Sequence, residues 1–211
     1  MKKILLGIIC LSLIAGCRKD KKKPVITEPE ITITEFTLPE SSVTLDPYGY
    51  SPLAALLKFT SPIGGHTEIE VVGKHGAPSS ITQTFTDDGT NHSIPILGLY
   101  ADYLNTVKVS VIDAKGNRAK SSITIQTGTL PVNIPNYINV DVSVTDVNNV
   151  EPGINLVSSF AGPPTTPRTP YMVDHFGDIR WCLNYTRHPQ LKDLNYDCGI
   201  ARLANGNYFF G

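Results

Sequence analysis

Val107-Lys108-Val109-Ser110-Val111, then Asp113-Ala114-Lys115-Gly116-Asn117, then Ser122-Ile123-Thr124-Ile125-Gln126 is the stretch that decides the fold. Apolar residues recur at every second position in both arms, which is the period of a strand with one buried face. The three valines fall on one side. The middle segment is turn chemistry, with Gly116 free to take a positive φ. This is a β-hairpin, and the rest of the chain reads outward from it.

Upstream, residues 31–36 (Ile-Thr-Ile-Thr-Glu-Phe) alternate in the same way and are expected to form a half-buried strand. Residues 51–59 are ambiguous, because Leu and Ala favour helix. Pro52 and Pro62 bound that stretch, and its length suits a strand. Residues 68–72, 81–85 and 93–97 follow, separated by Gly73-Lys74-His75-Gly76 and Asp87-Asp88-Gly89. Many short strands with turns at regular spacing predict an immunoglobulin-like or fibronectin-like sandwich over residues 31–130. A tyrosine just before the valine strand, Tyr100 or Tyr103, is expected to cap a corner of it by bonding back to the backbone.

Downstream, strands are expected at residues 138–147, 155–159, 171–173, 179–183, 200–203 and 208–210, around a Pro-rich stretch at 163–170. Asn205-Gly206 marks a hairpin turn. Gly 17 and Pro 16 in 211 residues, with 41% hydrophobic side chains, fit an all-β globular chain and exclude a helical bundle.

The N-terminus is different in kind. Met1-Lys2-Lys3 precedes an apolar run over residues 4–16, too short to span a bilayer and suited to a secretory signal. It ends Ile14-Ala15-Gly16-Cys17, which resembles a bacterial lipobox. Cys17 is therefore the expected lipidation site and new N-terminus, with residues 1–16 removed and residues 17–30 serving as a basic tether at a membrane surface. Seven of the 18 Lys and Arg residues lie in the first 23 positions. From Pro24 onward, eleven basic side chains face eighteen acidic ones, which leaves no footprint for nucleic acid. The expected location is the cell envelope of a Gram-negative bacterium, on a lipid anchor.

Further resemblance lies in the body. Asp46-Pro47-Tyr48-Gly49-Tyr50-Ser51-Pro52-Leu53-Ala54-Ala55, the run 94–107 around Leu97-Gly98-Leu99-Tyr100-Ala101-Asp102-Tyr103, Val173-Asp174 with Gly177-Asp178-Ile179-Arg180-Trp181, and Leu203-Ala204-Asn205-Gly206-Asn207 stand in this order. Together they resemble the N-terminal region of bacterial aryl-sulfate sulfotransferases over residues 31–211. The resemblance implies a sandwich followed by a β-propeller, of which residues 131–211 would be a linker and the start of the first blade. It implies transfer of a sulfuryl group from a phenolic sulfate ester to a phenol acceptor, with no nucleotide donor and no cofactor. The absence of a Gly-rich phosphate loop agrees with that. The family's catalytic histidines and arginine belong to later blades. The chain thus looks like a fragment of the enzyme, and no catalytic, cofactor-binding or metal-binding residue is assigned to it. A homodimer is a possible partner state. The alternative from another class is a lipid-anchored Ig-like binding or scaffold module.

Individual residues carry narrower expectations. His66, His75 and His92 lie at or near turns and are expected to be solvated. His175, Cys182, His188 and Cys198 are spaced too irregularly for a compact zinc site. In a complete propeller His175 could reach the channel. Arg180 is expected to stack on the indole of Trp181, which would itself be a core residue. Cys182 and Cys198, on consecutive strands, form a possible disulfide.

Overall fold

The computed structural model describes residues 30–130, 151–157, 170–185, 188–192, 200–205 and 207–210. The expected signal and tether, Cys17, Cys198, the strand at 138–147 and Gly206 lie outside the described residues. The chain divides into Met1–Glu30, of which only Glu30 is described, and Ile31–Gly211, which holds all that follows.

The described elements are strands and two short 3-10 turns. Strands β1 (Ile33–Glu35), β2 (Val43–Leu45), β3 (Ala54–Thr60), β4 (His66–Val71), β5 (Ile81–Phe85), β6 (Asn91–Leu97), β7 (Leu104–Ile112) and β8 (Arg118–Gln126) build two sheets. One runs β1-β8-β7-β4-β5 and the other β2-β3-β6. The deciding hairpin is β7–β8, with Val107 opposite Ile123 and Lys108 opposite Ser122. Gly116 in its turn takes φ +88°.

Alternation sets what is buried. Val107 and Val109 of β7 share a core with Ala55 and Leu57 of β3 and Ile94 and Ile96 of β6, and Val111 on the same face of β7 is also buried. Each such Val, Leu or Ile side chain stabilises the fold by about 1.5–3 kcal/mol relative to an exposed one. The result is an all-β, Ig-like sandwich. Residues 51–59 are strand from Ala54 onward, because Ser51–Leu53 are spent on a turn. Pro95 sits inside β6, which is tolerated because β6 is an edge strand.

Residues 31–36 correct the sequence expectation. β1 is an exposed edge that pairs in parallel with β8, and Ile31 and Ile33 are open to solvent. Only Phe36, just past the strand, turns inward to stack on Phe59.

Beyond the sandwich, β9 (Ile154–Val157), β10 (Tyr171–Asp174) and β11 (Ile179–Cys182) form a sheet in the order β11-β10-β9. Tyr171, Ile179 and Cys182 extend the sandwich core into it. β12 (Ile200–Arg202) and β13 (Tyr208–Phe210) form a separate hairpin, closed where the Leu203 amide donates to the Asn207 carbonyl at 2.7 Å.

Candidate functional site

Arg180, in β11, is 0% exposed. A guanidinium can be buried only if its donors are met. Nε and Nη2 donate to the Gly98 carbonyl at 2.9 and 2.7 Å. Nη1 lies 2.9 Å from the Ser79 carbonyl, 2.8 Å from the Tyr100 hydroxyl and 2.9 Å from Asp174 Oδ2. The guanidinium carbon is 3.7 Å from the Tyr100 ring centroid. Tyr100 is thus the aromatic partner that the sequence reading had assigned to Trp181. The two neighbours cannot stack, because successive side chains of a strand point to opposite faces. Trp181 is half-buried and, with Ile81, Leu97 and Met172, lines an apolar cavity of about 310 Å³ beside the junction.

The hairpin presents Arg180 through Asp174. Its Oδ1 accepts the Phe176 and Asp178 amides, both at 3.0 Å, while Oδ2 holds the guanidinium. Gly177 completes the turn at φ +88°. Asp, Gly and Arg at these three positions are thus one local device: a carboxylate that shapes the turn and neutralises the charge the turn delivers.

The sandwich supplies the other walls. Asn105, fully buried in β7, accepts the Tyr100 amide at 2.8 Å and donates to the Tyr100 and Tyr103 carbonyls. The Tyr100 hydroxyl donates to the Ser79 carbonyl at 3.3 Å and accepts the Lys74 amide at 3.1 Å. Tyr100 is therefore the corner tyrosine; Tyr103 is partly exposed. Gly98 has φ +88°, and a Cβ there would come within 2.4 Å of Ile81 Cδ1.

Two more loops grip the same sheet. Lys74 and His75 reach Asp178 at 3.2 and 3.0 Å, and the His75 ring stacks on Phe176. In the 46–53 loop, Asp46 (φ +46°) accepts the Ser51 amide, the Tyr50 carbonyl accepts the Asn184 amide at 2.7 Å, and Ser51 Oγ donates to the Cys182 carbonyl. Tyr48 at the tip is 81% exposed. Three of the four quoted motifs therefore meet in space at one junction.

The histidines fall in varied places. His66 opens β4 and is partly buried, and His75 is tied to Asp178. His188 is a turn residue whose Nδ1 accepts the Gln190 and Leu191 amides, and its ring lies against Tyr50. His175 is buried against Phe176, with no hydrogen-bond partner at Nδ1. His92 corrects the solvated reading: it lies in β6 at 4% exposure and stacks on Phe59. Its Nδ1 is 2.6 Å from Asp87 Oδ2, and its Nε2 is 2.9 Å from Ser61 Oγ.

That Ser–His–Asp order resembles a nucleophile with its base and orienting acid. The chemistry does not follow. Ser61 is buried and already donates its hydroxyl to the Ile63 carbonyl at 2.5 Å. The cluster ties two turns and both sheets together. Burial pushes the Asp87 carboxyl up, but hydrogen bonds from His92 and Thr67 outweigh this and hold it below the usual carboxylate range.

Among the described residues no group of three or more His, Cys, Asp or Glu side chains is placed to hold a metal ion, and no helix is long and apolar enough to cross a membrane. Cys182 is buried; its expected partner Cys198 lies outside the described residues. Burial, with the Asp46 charge adding to it, pushes the Cys182 thiol up to about 12.

Residues 42–128 match the family model described as the arylsulfotransferase Ig-like domain. This stretch of the chain is similar to the arylsulfotransferase Ig-like domain. It contains every sandwich residue that touches Arg180, while Arg180 and Asp174 lie beyond its end. The chain is also 33% identical over 116 residues to the arylsulfate sulfotransferase AssT of Lelliottia amnigena, an alignment covering 53% of this chain and 19% of that protein. The chain thus spans about a fifth of that relative's length.

Proposed function

We propose that this chain is the N-terminal part of an aryl-sulfate sulfotransferase, in which the Ig-like domain seats the first strands of a catalytic β-propeller. The observation that carries the reading is the junction: the Ig-like domain of residues 42–128 closes around Arg180 from the sheet that follows it. The reaction would move a sulfuryl group from a phenolic sulfate ester to a second phenol, so one aryl oxygen–sulfur bond breaks as another forms. None of the junction groups suits that transfer. Arg180 is fully buried with all three of its nitrogens already bonded, and Asp174 faces it with a negative charge. The chemistry is therefore assigned to residues outside this chain, and Cys17 to a lipid anchor that holds the protein in the cell envelope.

Two preparations test this. Residues 17–211, incubated with a chromogenic aryl sulfate and phenol, are expected to give no turnover above a heat-killed control. The gene product isolated from its source is expected to be longer, to partition with membranes and to transfer sulfate. Turnover by residues 17–211 would move the chemistry into this chain. A source protein that ends at Gly211 and transfers nothing would favour a binding or scaffold module.

A further inference from the structure

We propose that the end of the Ig-like sandwich is a preformed receptor for a planar guanidinium, built by the sandwich's own hydrogen bonds and filled by Arg180. Every wall on the sandwich side has support that does not pass through the arginine. Tyr100 is fixed at its amide and its carbonyl by Asn105. The Thr127 hydroxyl also donates to the Tyr100 carbonyl, at 2.5 Å. The Tyr100 hydroxyl is held between the Lys74 amide and the Ser79 carbonyl. Ser79 is anchored in turn, since its Oγ donates to the Gly76 carbonyl and accepts the His75 amide. The Gly98 carbonyl is aimed by a left-handed turn that packs against Ile81.

Two carbonyls, one hydroxyl and one ring face then converge on a flat cation. Carbonyls set around a plane, with a π face above it, match the fork of a guanidinium and not the compact charge of an ammonium. Without an occupant, the Gly98 carbonyl would be desolvated and short of a donor, which costs about 1–3 kcal/mol, while the Ser79 carbonyl would keep only the long bond from the Tyr100 hydroxyl. The Ig-like domain thus selects the sheet that follows it by its chemistry: an arginine on a hairpin whose own aspartate returns the neutralising charge.

The test uses the full chain carrying R180A, which leaves the socket empty. Methylguanidinium is expected to raise its melting temperature saturably and to recover roughly half or more of what the substitution lost, as a ligand that binds only the folded state must. Methylammonium and urea at the same concentrations are expected to recover nothing, and the parent chain should show no rise. Adding N105A to R180A removes the support of Tyr100 and should raise the methylguanidinium concentration for half-recovery about tenfold. If R180A is unfolded, the same additions are made during refolding and scored by far-UV circular dichroism. Recovery specific to methylguanidinium supports the receptor. No recovery, equal recovery by methylammonium, or recovery unaffected by N105A overturns it. The readout is stability, so it stands apart from any result on sulfate transfer.

Discussion

Arg180 Nη1 lies 2.8 Å from the hydroxyl of Tyr100, and the guanidinium carbon lies 3.7 Å from the centre of the same ring. One side chain of the sandwich thus meets one side chain of the following sheet twice, through its dipole and through its π face. Asp174, with its side chain almost fully buried, makes the cation tolerable there.

Replacing Arg180 with Ala should therefore cost more than lost packing, because it strands a buried carboxylate. Breaking one side of a buried pair typically destabilises by about 3–5 kcal/mol. R180K should recover only a minor part, since a lysine ammonium cannot meet acceptors spread around a plane. Chemical denaturation of the three proteins checks this; R180K equal to the parent would refute the geometric argument.

Acid stability should depend on Asp87. Its folded carboxyl sits below its unfolded value, so it contributes stability that is present above the ordinary carboxylate range of about 4 and is lost as pH falls through the folded value. D87N should be less stable than the parent at neutral pH, and the gap should narrow as pH drops below about 4. A gap that is constant with pH would show that the carboxylate charge is not what the cluster uses.

Cys182 should be inert in the folded chain. A thiol pushed up to about 12 carries almost no thiolate near neutral pH, and the side chain is buried. In reducing buffer, alkylation at Cys182 should wait for unfolding. By the same reasoning, a disulfide to Cys198 would have to form before the hairpin closes. Mass spectrometry of unreduced, alkylated, freshly exported protein separates a linked peptide pair from two alkylated thiols.

The sandwich was legible because period-two alternation in 107–111 and 122–126 is a local signal, and a strand with one buried face has little freedom to depart from it. The same rule would have placed His92, which shares a face with Ile94 and Ile96; its nearness to a turn drew the solvated reading instead. It also argued against an Arg180–Trp181 stack, since neighbours in a strand diverge. The outer strand at 31–36 misled because alternation reports which residues could be buried, while a sheet's edge decides whether they are. The Arg180 socket could not be read at all. Ser79, Gly98, Tyr100 and Asp174 are scattered over the sequence, and three of the five acceptor contacts are backbone carbonyls that no side chain announces.

The most direct test of the account follows from the single tryptophan, Trp181, which lies in β11 next to Arg180. Its fluorescence reports the hairpin, while far-UV circular dichroism reports mainly the strands of the sandwich. Urea unfolding of the chain should give one transition, with the same midpoint by both probes, because the sandwich and the sheet share a core and a buried cation. In R180A the fluorescence midpoint should move to lower urea than the dichroism midpoint. Separate midpoints in the parent, or coincident ones in R180A, would contradict the claim that Arg180 joins the Ig-like domain to the sheet that follows it.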